Sequence, residues 1–294
     1  MEDALEKYID GESGELPFAT LDKIGVAKDY AIGRNRYVGF LISLATRSYD
    51  DMRVGLDCSN GSSFNIAKSV FDALGTKNYV VGNEPDGTNI NMGCGSTYIE
   101  NLQKLVKEKN LDCGLVFDGD VDRCIAVDEN GMEAYGDFIL YVWGKYLNEC
   151  GKLQNNTVVA TIMSNMGLRK AMKQEGINLC ETTVGDKYVN EAMAANGYVL
   201  GGEQSGHIIF SKHATTGEGI LTALMLMEVI FEKKQSLGTL CKGMKMYPQL
   251  LVNVRVDDKD AAINHPQVQA LLKQIVDELG DDGRILLRKS EQSR

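Results

Sequence analysis

Three aspartates stand at alternate positions in the middle of the chain, directly after an apolar run. They are Asp118, Asp120 and Asp122, and Arg123 follows at once. Alternate side chains of an extended segment share a face, so we expect the three carboxylates to point the same way. Carboxylates held so close repel one another unless a cation lies among them. A hard divalent ion with oxygen ligands, Mg²⁺ above all, is the expected occupant of these residues, 118–123, which we call the metal loop.

Three alternatives to a magnesium site stay open for the metal loop. An acidic surface turn is the plainest of them. An EF-hand would place its bidentate ligand at Glu129, but Arg123 stands where that loop needs glycine, and strands are predicted on both sides. A phosphatase of the haloacid-dehalogenase type also begins with Asp-x-Asp after a strand. It would use Asp118 as nucleophile and Asp120 as acid.

A glycine-rich stretch, residues 201–207, is the second candidate site. Glu203, Ser205 and His207 alternate along it, between glycines that let the backbone approach a ligand closely. A carboxylate accepts hydrogen bonds from sugar hydroxyls, whereas Ser and His can donate or accept. The trio predicts a polyhydroxyl ligand, and we call this stretch the sugar loop. A structural hairpin with a satisfied histidine is the alternative.

A third, weaker signal is the pair Asp186 and Lys187 at a predicted helix start. A capping aspartate beside an incidental lysine explains the pair equally well. A lysine near a helix N-terminus can also meet an anionic ligand.

Strands and helices alternate around these motifs, which predicts an α/β fold with a largely parallel sheet. Hydrophobic periodicity predicts strands at 53–57, 78–82, 115–117, 125–128, 158–162, 178–182, 198–201, 250–256 and 284–288. It predicts helices at 64–74, 97–109, 138–149, 168–174, 187–195, 219–233 and 266–279. The helix at 219–233 is apolar around most of its surface, so we expect it to lie buried between layers.

Composition limits the function classes. The 294 residues suggest about two domains, and the net charge is −10 without a basic stripe. General binding to nucleic acid or to an anionic membrane is therefore not expected. Seven dispersed cysteines without a CxxC pair indicate reduced thiols. With no signal peptide and no apolar run of membrane length, we expect a soluble cytoplasmic protein.

Together the motifs resemble one family, the α-D-phosphohexomutases. The family's metal loop reads Asp-Gly-Asp-Gly-Asp-Arg, and its sugar loop in the glucosamine branch reads Gly-Glu-Gln-Ser-Gly-His, as residues 202–207 do. The phosphomannomutase branch usually has Met where this chain has Gln204, so that branch and the phosphoglucomutases are the nearest alternatives. Residues 82–87, 184–189 and 215–219 also match, and the resemblance extends from about residue 33 to 288.

The resemblance implies an intramolecular phosphotransferase. A phosphoserine would convert glucosamine 6-phosphate to glucosamine 1-phosphate through a bisphosphate intermediate, for amino-sugar and cell-wall precursor synthesis. Asp118, Asp120 and Asp122 match the Mg²⁺ ligands, and Arg123 would support the transferring phosphate. Glu203, Ser205, His207, Asp186 and Lys187 would bind the hexosamine phosphate.

The resemblance also predicts the domain organisation. We expect two consecutive related α/β domains with mixed, largely parallel sheets sandwiched by helices: residues 35–133 with the metal loop and 134–248 with the sugar loop. Residues 1–34 would be a remnant of a first domain and linker, and 249–294 the start of a truncated α+β domain.

Three departures from the family pattern matter. Val121 replaces a glycine, and Lys187 stands where arginine is usual. The family's Thr-Ala-Ser-His-Asn-Pro loop, which carries the nucleophilic serine, has no counterpart, and residues 288–294 replace its phosphate-gripping loop. We therefore expect an inactive fragment, or a non-catalytic module that binds sugar phosphate or metal. Apolar surface left uncovered by missing domains would also allow a homodimer.

Overall fold

A computed structural model describes residues 1–14, 16–26, 28–280 and 283–289. The chain forms two units, Met1–Tyr37 and Val38–Arg294. The first unit contains α1 (Glu2–Ile9) and the beginning of α2 (Ala31–Leu44), which continues into the second unit. Large apolar side chains of the first unit, such as Phe18, are exposed. The assignment of residues 1–34 to a first-domain remnant stays a prediction.

The first sheet carries the metal loop. Its strands are β1 (Arg53–Asp57), β2 (Lys77–Val81), β3 (Cys113–Phe117), β4 (Cys124–Val127) and β5 (Glu133–Ala134). They lie in the order β2-β1-β3-β4-β5, with β1 parallel to β2 and β3, and with β4 antiparallel to both of its neighbours. Helices α3 (Ala67–Ala73) and α4 (Glu100–Lys109) pack on this sheet. Strands β3 and β4 are fully buried, which explains their continuous apolar runs.

The second sheet carries the sugar loop. Its strands are β6 (Thr157–Thr161), β7 (Asn178–Thr182), β8 (Leu200–Gly202) and β9 (Ile208–Phe210), in the order β7-β6-β8-β9. Strand β6 is parallel to β7 and β8, whereas β9 returns antiparallel. Helices α5 (Gly136–Glu149), α6 (Met166–Gln174) and α7 (Asp186–Asn196) flank it. The predicted fold class, mixed sheets flanked by helices, is confirmed, while the predicted domain boundaries stay a prediction.

Helix α8 (Gly219–Lys233) joins the two sheets. It packs against β3 and β4 on one side and against α5 and β9 on another, and its first twelve residues are buried. The prediction of a buried interlayer helix is therefore confirmed. Its one buried acid, Glu228, accepts hydrogen bonds from the Tyr49 hydroxyl at 2.9 Å and from the Thr46 hydroxyl.

The C-terminal part of the chain differs from expectation. It contains α9 (Leu237–Cys241), α10 (Lys259–Asn264) and α11 (Pro266–Leu279), and the predicted helix at 266–279 is correct. The strands predicted at 250–256 and 284–288 are wrong, since no strand follows β9 in the described part of the chain. Both segments line one cavity of about 500 Å³, but no ladder pairs them. An apolar pattern gives a strand only where a neighbour accepts its backbone hydrogen bonds.

Two expectations concern the whole molecule. All seven cysteines are free, and four of them are buried. No helix among residues 1–14, 16–26, 28–280 and 283–289 is long and apolar enough to cross a membrane. Residues 290–294, which belong to the segment that diverges from the family, lie outside the described part.

The fold buries one carboxylate at the start of α5. Asp137 is 0% exposed, and its Oδ2 accepts a hydrogen bond of 2.7 Å from the Asn165 N–H. Burial raises the pKa of Asp137 from 3.8 to about 6, and that hydrogen bond with the charges of Arg284 and Arg169 offsets only part of the rise. Because the folded pKa lies above the unfolded one, ionisation of Asp137 costs stability as pH rises through this interval.

We therefore predict a pH-dependent effect of Asp137→Asn. The free energy of unfolding of the variant, relative to that of the wild type, should rise by up to about 3 kcal/mol between pH 4 and pH 7. Urea titrations at several pH values measure the difference, and Asp277→Asn on the exposed face of α11 supplies the baseline. A difference that does not change with pH would contradict the assignment.

Candidate active site

The metal loop connects the antiparallel strands β3 and β4. Each of the three aspartates offers a carboxylate oxygen, and these oxygens lie within 4.8 Å of one another. The loop is bent rather than extended, so the expected cause of their convergence is wrong although the convergence itself occurs. Phe117 pairs with Cys124 at the base of the loop, and the reversal of the chain over six residues brings the carboxylates together.

The charges of the metal loop suit a cation. Burial, and then the hydrogen bond and charge of Asp122, raise the pKa of Asp118 to about 7. Burial also acts on Asp122, but hydrogen bonds with Asp118 and His207 and the charge of Arg123 outweigh it and lower the pKa of Asp122. Buried Asp122 Oδ1 accepts no hydrogen bond from the described residues, and Arg123 Nε is 3.4 Å away. A buried carboxylate oxygen that accepts no hydrogen bond, among three carboxylates, fits a hard cation.

Val121 adopts the backbone conformation that the family's glycine would favour. Its φ is 68°, and its side chain is only 8% exposed. This left-handed conformation costs a β-branched residue about 1–2 kcal/mol. The loop therefore stores strain between Asp120 and Asp122, and burial of the valine side chain offsets part of it.

At position 121, a glycine variant should be more stable than an alanine variant, which is the reverse of the usual order of stability. We expect Val121→Gly to be more stable than Val121→Ala by about 0.5–1 kcal/mol, because glycine loses only one more methyl group of packing than alanine does, whereas only alanine keeps the strain. Urea unfolding measures the difference. Ala194→Gly on the exposed face of α7 is the control and should lose about 1 kcal/mol, as glycine does in an ordinary helix. A Val121→Ala variant more stable than Val121→Gly would contradict the account.

The sugar loop is the turn between β8 and β9. Glu203 Oε1 accepts a hydrogen bond of 3.0 Å from the Gly185 N–H, next to the start of α7, and Ser205 Oγ lies 3.5 Å from Glu203 Oε2. Ser205 is exposed. The Glu203 contact places the candidate residues Asp186 and Lys187 beside the sugar loop. Lys187 is exposed at the N-terminal turn of α7, and the structure gives its side chain no hydrogen bond to a described residue.

His207 connects the two loops. Its Nε2 accepts a hydrogen bond of 2.9 Å from the Gly217 N–H, so Nδ1 carries the proton and donates to Asp122 Oδ2 at 2.9 Å. The imidazole is 4% exposed, and Asp186 Oδ2 lies 3.8 Å from Nε2. Both nitrogens thus contact protein atoms. A sugar ligand would instead require a nitrogen that faces open space. The histidine instead holds Asp122, as partners outside the ligand shell commonly do in metal sites.

Backbone contacts hold the metal loop and the sugar loop together. The Cys124 N–H donates to Gly206 O at 3.1 Å, and the Gly219 N–H at the start of α8 donates to Val121 O at 2.7 Å. Gly136, the first residue of α5, donates to Gln204 O at 3.1 Å. Six of the predicted site residues therefore converge through these elements: Asp118, Asp122, Arg123, Glu203, Ser205 and His207. Asp120 belongs to the carboxylate group, and Asp186 and Lys187 adjoin the sugar loop.

Sequence reasoning missed the loop after β1 as a support of the metal loop. Both the N–H and the hydroxyl of Ser62 donate to Gly119 O, at 2.9 Å and 3.2 Å. A Cβ on Gly61 would lie 2.4 Å from the same oxygen, which explains why glycine stands there. By themselves, Asn60 and Gly61 indicate only a turn. A signal was nevertheless present, because loops that follow neighbouring parallel strands meet at one edge of the sheet.

Known proteins match nearly the whole chain. Profiles of the phosphoglucomutase/phosphomannomutase family match residues 35–131 as its alpha/beta/alpha domain II and 135–247 as its domain III. Phosphoglucosamine mutase of Lachnoclostridium phytofermentans is 57% identical over 99% of this chain and 65% of its own length. That of Lachnospira eligens is 56% identical over 97% of this chain and 64% of its own length. The chain thus spans slightly less than two thirds of these relatives.

A solved structure with the same fold contains a metal. Aspergillus fumigatus N-acetylphosphoglucosamine mutase, in complex with GlcNAc-6P and magnesium, aligns with a TM-score of 0.62 over 83% of this chain and 60% of its own. The identity is 17%, so the comparison supports the fold alone.

Proposed function

Because this chain belongs to the phosphoglucomutase/phosphomannomutase family of α-D-phosphohexomutases, we propose that it binds a hexosamine phosphate for phosphoryl transfer. The proposed reaction interconverts glucosamine 6-phosphate and glucosamine 1-phosphate, and two relatives of this chain carry the name phosphoglucosamine mutase. The observation that carries the proposal is the His207–Asp122 hydrogen bond. It joins a group of three carboxylates to a loop suited to sugar hydroxyls.

Asp118, Asp120 and Asp122 are the proposed ligands of Mg²⁺. When bound, the ion would supply charge neutralisation for the transferring phosphoryl group. Arg123 ion-pairs with Asp118 at 3.5 Å, and its side chain remains 45% exposed, so the guanidinium can also reach an anionic ligand. His207 holds Asp122 in place and is thus a positioning residue in this proposal.

Glu203 and Ser205 are the proposed contacts to sugar hydroxyls, and Lys187 is the proposed contact to a phosphate. Glu203 is half-buried and oriented by the Gly185 N–H, which leaves Oε2 as the acceptor toward ligand and Ser205. Lys187 stands at the positive end of α7, where the helix dipole favours an anion. As a single point charge it lacks the bidentate geometry of the arginine usual in the family.

These residues bind and orient the sugar phosphate, but the donor serine of the family has no counterpart in the 294 residues. The part of the reaction that we assign to the residues of this chain is the binding of the sugar phosphate. Its seven free cysteines agree with a reducing compartment, which supports a cytoplasmic site of action. A homodimer stays a prediction.

The phosphatase alternative receives less support. Asp118, its proposed nucleophile, is 7% exposed, and Oδ1 already accepts the Arg123 N–H at 3.2 Å. The matching relatives are mutases.

Calorimetric titration of the purified chain with glucosamine 6-phosphate tests the proposal. We expect saturable binding in Mg²⁺ that weakens at least about tenfold after chelation, because the ion and the sugar loop share the Asp122–His207 contact. Phosphate release should not accompany it. The proposal fails if glucosamine 6-phosphate does not bind at millimolar concentration, and steady phosphate release lost in Asp118→Asn would favour the phosphatase.

A further inference from the structure

A chain of side-chain amides leads from the sugar loop to the segment that follows α9. Gln204 Nε2 donates to Gln249 Oε1 at 3.1 Å, and Gln249 Nε2 donates to Met163 O at 3.3 Å. Asn165 Nδ2 lies 3.5 Å from the same Gln249 oxygen. Gln204 belongs to the predicted sugar loop, whereas Gln249, which lies 45 positions away, is not a predicted site residue.

The directions of these amides are determined by chemistry. Met163 O is a carbonyl and can only accept, so the nitrogen of Gln249 must face it and the oxygen must face Gln204. The orientation of the Asn165 amide is determined in the same way, because its Oδ1 accepts hydrogen bonds from the N–H groups of Gly167 and Tyr247. Its nitrogen therefore also faces Gln249 Oε1. Two donors at that oxygen exclude the flipped amide of Gln249.

Gln204 must then turn its nitrogen toward Gln249 and its oxygen away. The Tyr135 hydroxyl lies near Gln204, which opposes part of the rise that burial gives the pKa of Tyr135, to about 12. Among the residues that the structure describes, no donor reaches Gln204 Oε1. The backbone of Gln204 is held as well, since its carbonyl accepts the Gly136 N–H.

We propose that Gln249 is a positioning residue that holds Gln204 Oε1 as a free acceptor for the 2-ammonium group of a hexosamine phosphate. The inference rests on the proposed function and deepens it, by naming what selects an amino sugar over a neutral hexose. An ammonium donates a charge-assisted hydrogen bond to an amide oxygen, which is stronger than the bond from a hydroxyl. A rotated Gln204 would offer its NH₂ group instead and would repel the ammonium.

The test is the ratio of two affinities measured on the whole chain in Mg²⁺. Calorimetry gives the Kd of glucose 6-phosphate divided by that of glucosamine 6-phosphate, which we expect to be about 10 in the wild type. Gln204→Met removes the acceptor at similar volume and should bring the ratio to about 1. Gln249→Met leaves Gln204 in place but frees its amide to rotate, and the ratio should fall to about 3 or less. Gln274→Met, exposed on α11, should keep the wild-type ratio.

The ratio separates positioning from general damage. A variant that merely loosens the sugar loop weakens both sugars alike and leaves the ratio unchanged. A Gln249→Met ratio within twofold of the wild type, or a wild-type ratio near 1, overturns the inference while the proposed function stands. Absence of binding of either sugar phosphate to the wild type overturns the proposed function and this inference with it.

Discussion

Replacing Asp118 with Asn is expected to lower the affinity of the chain for Mg²⁺ at least about 100-fold. Loss of a partner outside the ligand shell already costs 10–100-fold in metal sites, and Asp118 is one of three carboxylates whose oxygens lie within 4.8 Å of one another. The variant keeps the size of the side chain but removes one negative charge. Asp120→Asn and Asp122→Asn should act in the same direction, and Asp277→Asn is the control.

In the absence of metal, Asp118→Asn should not lower the stability of the chain and is expected to keep or raise it. When no cation is present, the three carboxylates repel one another, so Asp118→Asn should unfold in EDTA at the same temperature as the wild type or higher. Adding Mg²⁺ should raise the melting temperature of the wild type but not of the variant. Calorimetry and thermal unfolding measure the two effects. An Asp118→Asn variant that binds Mg²⁺ as tightly as the wild type would show that the metal lies elsewhere.

Gly206→Ala is expected to cost about 3 kcal/mol or more in the free energy of unfolding and to abolish sugar-phosphate binding. Gly206 has φ +95°, and an added Cβ would lie 2.4 Å from Cys124 O, the first residue of β4. The strained conformation and the backbone overlap contribute about 1–3 kcal/mol each. Because the contact joins the sugar loop to the strand that follows the metal loop, relief of the overlap must move one loop away from the other.

Gly197→Ala provides a matched control for this effect. Gly197 also has positive φ, +68°, but no atom lies within 4 Å of an added Cβ. It should show the conformational cost alone, about 1 kcal/mol, with ligand binding intact. Urea unfolding together with calorimetry compares the two. Equal losses in both variants would mean that the contact with Cys124 does not hold the loops together.

Much of the fold was predictable because its signals are local. Strands β1 and β7 and helices α8 and α11 have the predicted bounds, since their apolar patterns end at turn residues or caps. His265, for example, caps α11 just before Pro266. The strands predicted at 250–256 and 284–288 failed because ladder formation depends on a neighbouring strand, which local periodicity does not encode.

The candidate site was predictable in its residue types but not in its geometry. Alternating aspartates identified the metal loop, yet a bend at Val121 rather than an extended strand gathers them. His207 was expected to face a sugar, whereas its nitrogens contact Asp122 and Gly217. Gln249 escaped notice because its partner Gln204 is distant in sequence. Such contacts depend on how the elements pack, which spacing along one chain does not reveal.

The most direct measurement is a crystal structure of the chain grown with Mn²⁺ and glucosamine 6-phosphate. We predict one anomalous peak bonded to carboxylate oxygens of Asp118, Asp120 and Asp122, with the sugar hydroxyls on Glu203 and Ser205. Manganese prefers the same oxygen ligands as Mg²⁺ and scatters anomalously. A metal bound away from these aspartates, or a sugar phosphate bound away from residues 202–207, would contradict the account.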